Sequence, residues 1–126
     1  MKKIISTTKV PTPIGPYSQG VVIGNLLFTS GQIALDATTN NLVMGDIKTE
    51  TRKVMDNLNA LLTEATTNFE NVIKTSIFLK NMDDFAEVNE VYGSYFNNSY
   101  PARETVQVSR LPKDVNVEIS MIVAIT

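Results

Sequence analysis

Few residue types are available for chemistry in this 126-residue chain, because it contains neither cysteine nor histidine. A thiol nucleophile, a Ser-His triad, acid–base catalysis by histidine, and zinc sites built on imidazole or thiolate are therefore excluded. Carboxylate, arginine, lysine, tyrosine, hydroxyl and backbone groups remain. Among these we single out Arg103 and Glu118, because the strand pattern near the end of the chain predicts that they lie close together.

That pattern predicts a β-hairpin formed by residues 103–109 and 115–125. In the second strand, apolar side chains alternate from Val115 to Ile125, and Val106 and Val108 are the apolar pair of the first strand. Burying both apolar sets together fixes the parity of the pairing, since a slip of one residue would move every side chain to the other face. The polar side chains that then share the opposite face are Arg103, Thr105, Gln107, Glu118 and Ser120.

The face that carries this polar set also contains Ile122 and Ala124. No helix is left to cover it, and a half-apolar face exposed to water is typical of a contact with another subunit. We therefore predict a homo-oligomer with its sites at the subunit boundaries. One surface patch, repeated by symmetry on every subunit, is enough to close a ring of subunits.

A second hairpin is predicted near the start of the chain, from residues 19–23 and 26–30 around a Gly-Asn turn. Its geometry places Tyr17 beside the chain that leaves the second strand, around Ser30 and Gly31.

Helical spacing of apolar residues predicts a first helix over residues 46–66, with Asp46 as its N-cap. A strand over residues 72–80 and a second helix from residue 83 or 84 to about residue 96 follow. The expected order is ββαβαββ in a single domain of residues 1–126, an α+β fold with a mixed sheet and both helices on one face. The inward stripe predicted for the second helix is Phe85, Asn89, Tyr92 and Phe96, which puts an asparagine where an apolar residue is expected.

Charge and apolar content indicate which kinds of partner the chain is suited to bind. The net charge of −2 and the pI near 5.0 supply no general attraction for phosphate backbones, so nucleic acid is an unfavoured partner. The sequence has no apolar run approaching the roughly 18 residues of a membrane span, and the apolar stretch at its start is too short for a signal peptide. We expect a cytoplasmic protein with no membrane association.

Each of the singled-out residues also has an interpretation without function, and these alternatives stay open at this point. Arg103 would be a surface residue paired with Glu104 or a neighbouring carboxylate. Glu118 would be a solvated or ion-paired carboxylate, and Tyr17 a packing residue at a turn. Asn89 would bond to local backbone, and Lys113–Asp114 would be a turn with no chemistry.

Several motifs in order resemble the RidA family, also called the YjgF family. They are Gly15–Gly20 (GPYSQG), Phe28–Ile33 (FTSGQI), Pro101–Arg103 (PAR), Arg110–Val115 (RLPKDV) and Val117–Ile119 (VEI). The similarity covers essentially the whole chain, including residues 51–52, 57–58 and 84–89.

The resemblance implies a chorismate-mutase-like fold assembled as a homotrimer. Clefts between the subunits would hydrolyse 2-iminopropanoate and 2-iminobutanoate to 2-oxo acids and ammonia, with no cofactor and no metal. The arginine's planar fork suits the substrate carboxylate, and the glutamate would orient a water molecule or accept its proton. The family's site residues correspond to Tyr17, the backbone around Ser30 and Gly31, Asn89, Arg103 and Glu118. Thr105 stands where the family often has cysteine; its backbone groups can still serve.

Two other functions remain as alternatives. A non-enzymatic trimer that binds a small carboxylate and reports it to a regulatory protein would use Arg103 equally well. Ribonuclease activity, attributed to some members of the family, is the least favoured because the chain is acidic and lacks histidine.

Overall fold

The computed structural model describes residues 1–125, in which six strands form one mixed sheet and two helices cover one of its faces. The predicted mixed α+β architecture is thus confirmed, with one short strand added at the start. The predicted domain of residues 1–126 also includes Thr126, which lies outside the described residues. The strands are β1 (Lys3–Ile5), β2 (Gly20–Ile23), β3 (Leu26–Thr29), β4 (Val72–Leu79), β5 (Ala102–Gln107) and β6 (Val117–Ala124), and the helices are α1 (Ile47–Glu64) and α2 (Phe85–Gly93).

The early hairpin is confirmed. Strands β2 and β3 pair antiparallel with Ile23 opposite Leu26, and Gly24 turns the chain with a φ of 58°. At the other end of the hairpin the Ser30 amide donates to the Gln19 carbonyl at 2.9 Å, so the two chains stay together beyond the strands. This contact fixes where the segment after β3 leaves the sheet.

Helix α1 begins as predicted, with Asp46 Oδ1 accepting from the Thr49 amide at 2.8 Å. Most of its apolar stripe is fully buried, and Ile47 in the first turn is partly buried against the core. Glu50, which suits the positive end of the helix dipole, is also fully buried, and its two oxygens accept from the Asn116 backbone and side-chain amides at 2.8 and 2.7 Å. Glu50 therefore ties the first turn of α1 to the chain entering β6.

The predicted hairpin at the end of the chain is wrong. Strand β5 pairs in parallel with β4 through the α2 crossover, and β6 lies on the other side of β4 in the order β1-β2-β3-β6-β4-β5. A strand–helix–strand unit favours a parallel neighbour, and β6 alternates buried and half-buried positions as an interior strand does. Closeness in sequence was a poor guide to pairing here.

The predicted common face for Arg103 and Glu118 is wrong as a consequence. Arg103 lies in register with Thr75 and Met121, which are buried beneath the helices. Glu118 lies in register with Phe78 and Val106, on the uncovered face. Facing residues on neighbouring strands point to the same side of a sheet, so the two candidate residues project to opposite sides.

The same correction applies to the residues around them. Thr105 and Gln107 lie on the helix-covered face of β5 with Arg103, because every second residue of a strand points to the same side. Ser120 shares the uncovered face with Glu118. Glu118 is therefore not beside Thr105 or Gln107. The burial of Val106 assumed for the hairpin also fails, because 41% of that residue is exposed.

The structure confirms only part of the predicted inward stripe: Tyr92 is buried, and Phe96, which lies beyond the end of α2, packs against the core. Val88, Val91 and Tyr92 are buried, whereas Phe85 is 38% exposed and Asn89 is half-buried at the edge of the sheet. The asparagine consequently does not interrupt the core, and it faces a pocket.

Among residues 1–125, no helix combines the length and the apolar character needed to cross a membrane.

Candidate functional site

The arginine pocket is a cavity of about 460 Å³ lined by Asn89, Tyr92, Gly93, Tyr100, Pro101 and Arg103. Strand β5 supplies the arginine and helix α2 supplies the groups that hold it. Arg103 Nη1 donates to Asn89 Oδ1 at 2.6 Å, and the guanidinium carbon lies 5.2 Å from the ring centre of Tyr92 and 5.6 Å from that of Phe85. One hydrogen bond and two aromatic rings therefore orient the guanidinium while much of its fork stays open.

The ion pair with Glu104 that would have made Arg103 an ordinary surface residue does not form. Glu104 accepts from Lys74 Nζ at 2.9 Å and from the Ser76 hydroxyl, on the other side of the sheet. Within residues 1–125, none of the ion pairs involves Arg103. A half-buried guanidinium without a carboxylate partner is suited to bind an anion from outside the chain.

Thr105 lies two residues further along β5, on the same face as Arg103. Its Oγ1 is enclosed and has no hydrogen-bond partner within the described residues. An enclosed hydroxyl left unpaired costs about 1–3 kcal/mol, so a partner supplied by a ligand or a second subunit would recover that energy. Because β5 is the last strand of the sheet, every second residue also turns its backbone groups outward.

The glutamate cleft lies on the uncovered side of the sheet and has a volume of about 590 Å³. It is bounded by three irregular segments: the loop before β2, the chain after β3, and the turn before β6. The residues lining the cleft are Val10, Pro11, Thr12, Ile14, Tyr17, Gln19, Ser30, Gly31, Gln32, Ile33, Leu35, Asn40, Pro112, Lys113 and Glu118.

Glu118 is the carboxylate of this cleft. It is half-buried, and burial alone raises the pKa of its carboxyl group above the usual value. None of the ion pairs in residues 1–125 includes it. The simple interpretation of Glu118 as a solvated or ion-paired surface carboxylate therefore does not fit, and a raised pKa is typical of carboxylates that move protons near neutral pH.

Gly31 makes room for this carboxylate. A Cβ atom at position 31 would lie 2.3 Å from Glu118 Oε2 and 2.7 Å from Glu118 Cδ, closer than van der Waals contact allows. The close approach of the glutamate explains why a residue without a side chain stands here.

Tyr17 and Ser30 complete the cleft from the hairpin, in the adjacency predicted from its turn. Ser30 Oγ donates to the Ser18 carbonyl at 2.6 Å, which holds the two segments together. Tyr17 lines the cleft with 54% of its surface exposed, so it is not a packing residue at a turn. An exposed ring on a cleft wall is available to contact a bound molecule.

The sequence-predicted site residues thus fall into two groups. Tyr17, Ser30, Gly31 and Glu118 meet in the glutamate cleft, whereas Asn89, Arg103 and Thr105 lie on the other side of the sheet.

Sequence analysis missed several lining residues. They include Tyr92 in the arginine pocket and Lys113, which was interpreted as part of a turn without chemistry and in fact lines the cleft. The contact of the Phe85 ring with the guanidinium was also not predicted. The cluster of apolar residues and proline at positions 10–14 was a usable signal for a cleft wall, since those residues have no strand to belong to. In residues 1–125 no three acidic side chains come together in an arrangement that could hold a metal ion.

Comparison with known proteins gives a consistent result over the full length. The family described as Endoribonuclease L-PSP matches residues 7–125. A RutC family protein of Pyrococcus horikoshii is 52% identical over 122 residues, covering 97% of both chains. The mouse (Mus musculus) protein named 2-iminobutanoate/2-iminopropanoate deaminase is 44% identical over 122 residues, covering 97% of this chain and 90% of its own.

The fold has close counterparts among solved structures. The crystal structure of E. coli TdcF with bound serine superposes with a TM-score of 0.92 at 40% identity, covering 98% of this chain and 99% of the other. The residues matched by the family model, 7–125, include all those that line the arginine pocket and the glutamate cleft.

Proposed function

The chain belongs to the Endoribonuclease L-PSP family, also called the YjgF or RidA family, and from that premise we propose that it hydrolyses 2-imino acids to 2-oxo acids and ammonia. The substrates in this proposal are 2-iminopropanoate and 2-iminobutanoate. The observation that carries the proposal is the half-buried, unpaired guanidinium of Arg103, held open by Asn89 and two aromatic rings. A mouse relative is named for this activity, and a related E. coli protein holds serine, a small amino acid with a carboxylate.

In this reaction Arg103 binds the substrate carboxylate through two parallel hydrogen bonds, which fixes the plane of the imine. Glu118 orients a water molecule beside the imine carbon and accepts its proton as the C–O bond forms. Attack on the protonated imine moves the C=N electron pair onto nitrogen and gives a neutral carbinolamine. Glu118 then passes its proton to that nitrogen, and ammonia leaves as the carbinolamine hydroxyl becomes the carbonyl and gives its proton to Glu118. Imines hydrolyse in water unaided, so the protein contributes mainly positioning and a well-placed base.

The two groups needed for this reaction project to opposite sides of one sheet, so we further propose that each site forms between two copies of the chain. The uncovered face supports this, because Ile23, Phe28 and Val106 leave 40–50% of their surface exposed there. Apolar side chains grouped on one open face are typical of a subunit interface. A contact between the β5 edge of one copy and the glutamate cleft of the next is head-to-tail, and such a contact closes into a ring when the rotation between copies divides a full turn. The proposed homotrimer is the ring of three copies.

A subunit-mixing experiment tests both parts of the proposal. Arg103→Ala and Glu118→Gln each inactivate the protein alone, but in trimers refolded from an equal mixture about a quarter of the sites pair the intact Arg103 of one copy with the intact Glu118 of its neighbour. We expect about a quarter of the wild-type rate of ammonia release in a coupled assay with an imine-generating dehydratase. A mixture no more active than the separate variants would refute the shared site.

The same assay separates the alternatives. Carboxylate binding without ammonia release by the wild-type protein would favour the non-enzymatic regulatory trimer. Although the family carries the description endoribonuclease, the net charge of −2 gives this chain no general attraction for RNA.

A further inference from the structure

Two walls of the glutamate cleft lie outside the strands of the six-stranded sheet. Val10 and Pro11 line one side, and Ile33 and Leu35 line another. Backbone pairing fixes these segments only in part: Gln32 pairs with Ile119 of β6 and Leu35 with Leu42, and the remaining buried carbonyls need other partners. Their hydrogen bonds lead to two buried side-chain amides.

Gln19 holds the first wall. The side chain is 4% exposed, and its Oε1 accepts from the Thr7 amide at 2.8 Å. Its Nε2 donates to the carbonyls of Thr7, Val10 and Pro11 at 3.2, 3.3 and 3.0 Å. Both N–H groups of this amide are therefore used, shared among the three carbonyls. A single side chain thus holds the backbone of residues 7–11 in position.

Asn57 holds the second wall from helix α1. It is 2% exposed, and its Nδ2 donates to the carbonyls of Ile33 and Leu35 at 3.1 and 3.0 Å. Both N–H groups of the amide are thereby used on alternate residues of the segment that lines the cleft. Asn57 itself does not line the cleft, so any influence on a bound molecule is transmitted through those two residues.

We propose that Gln19 and Asn57 are positioning residues that fix the width of the glutamate cleft and thereby set the size of the substrate side chain it admits, an inference that rests on the proposed function. The walls they hold are mostly apolar, so they face the alkyl part of a 2-imino acid while Arg103 and Glu118 take its polar groups. A rigid apolar pocket discriminates by about tenfold or more for one methylene, and a pocket with loose walls repacks and loses that discrimination.

The test compares the binding of two stable 2-oxo acids that differ in side-chain size, 2-oxobutanoate and 4-methyl-2-oxopentanoate, by calorimetric titration. These ligands need no turnover, so the result is independent of whether the protein deaminates imines. The variants are Gln19→Met and Asn57→Leu, which keep the side-chain size and remove the amide. Asn57→Leu acts only through the wall, whereas Gln19 itself lines the cleft, so Gln19→Met supports the inference only if the Kd ratio and the hydrogen exchange of its wall change together; on that condition each variant tests the inference if the other fails to fold. Thr51→Val is the matched control, since Thr51 is fully buried in α1, donates only to its own helix at Ile47, and does not line the cleft.

We expect the two wild-type Kd values to differ by about tenfold or more, and this ratio to move about fivefold towards one in each amide variant and to stay unchanged in Thr51→Val. Hydrogen exchange should become faster in residues 7–11 for Gln19→Met and in residues 33–35 for Asn57→Leu. Walls that loosen without a change in the Kd ratio would overturn the inference, because the amides would then be structural only. Unchanged exchange, a wild-type ratio near one, or no binding of either 2-oxo acid would also overturn it, whereas the ammonia-release assay judges the deaminase proposal separately.

Discussion

The arginine pocket and the glutamate cleft are built by different means. In the pocket, regular elements do the positioning: β5 carries Arg103, α2 carries Asn89 and the two rings, and the core beneath fixes both elements. In the cleft, only Glu118 lies on a strand, and the surrounding walls are irregular segments held by buried amides.

The difference matches the tasks proposed for the two sides. A carboxylate is the same in every 2-imino acid, so its receptor can be rigid and shared by all substrates. The alkyl side chain differs between 2-imino acids, so the segments that face it set which substrates fit, and buried amides hold those segments in place. We therefore expect substitutions in the arginine pocket and in the glutamate cleft to have different effects, which range from loss of substrate binding to small changes in stability.

Arg103→Ala should have the largest effect, because it removes the anion receptor itself. Two charge-assisted hydrogen bonds worth about 2 kcal/mol each correspond to a decrease in kcat/KM on the order of 1,000-fold, measured by imine decay. Arg103→Lys keeps the charge without the fork and should recover only part of this loss. Arg110→Ala, at an exposed arginine that lines neither cavity, is the control and should behave as the wild type. If activity survives Arg103→Ala, Arg103 is not the group that binds the substrate carboxylate.

Glu118→Gln should lower kcat by about 100-fold while KM changes by less than about twofold, since a neutral amide cannot accept the proton of the attacking water. This split distinguishes the cleft from the pocket, where KM carries much of the loss. Steady-state kinetics on both variants at saturating imine measure it, with Glu70→Gln, an exposed residue, as the control. An unchanged kcat would place water activation on another group.

The comparison also explains which parts of the molecule the sequence predicts. The Gly24 turn, the Asp46 cap and the apolar stripe of α1 are local, so their signals lie within a few residues of one another. The placement of β5 is not local, because alternation assigns a face to Arg103 only after the neighbouring strand is known. The parallel partner followed from the β4–α2–β5 connection, a stronger signal than the short loop to β6.

The site was predicted in the same uneven way. The motifs that carry Tyr17, Gly31, Arg103 and Glu118 are recognisable in sequence, but which of them meet within one chain is a property of the topology. Gln19 and Asn57 lie in the recognised motifs, but their hydrogen bonds to the cleft walls were not predicted, because each amide bonds to backbone atoms of a distant segment and such atoms carry no sequence signal.

Gly31→Ala should affect the cleft alone and less severely, lowering kcat by about tenfold. The new methyl group displaces the Glu118 carboxylate, whose nearest oxygen lies 2.3 Å from the added Cβ, so the base moves away from the water it orients. A double variant with Glu118→Gln provides the control: if Gly31 acts through Glu118, adding Gly31→Ala to Glu118→Gln should cost almost nothing. Additive losses would mean that Gly31 serves the substrate directly.

The smallest effect expected is on stability, and it has a characteristic dependence on pH. Burial raises the pKa of Glu118, so the folded protein holds this proton up to a higher pH than the unfolded chain does. Wild-type stability therefore decreases as pH rises from the usual glutamate pKa through the raised one, and it stays lower above that window.

Glu118→Gln has no charge to bury and should be more stable than the wild type at pH 7, by less than about 1 kcal/mol because water reaches half of the side chain. The gain should vanish below the usual glutamate pKa, where the wild-type carboxyl is also neutral. Thermal unfolding at matched protein concentration between pH 4 and pH 8 measures it, and the concentration must be held constant because association contributes to apparent stability. A variant less stable than the wild type at pH 7 would mean that the carboxylate is stabilised by a contact across the subunit boundary, and the cleft would then resemble the arginine pocket more than its irregular walls indicate.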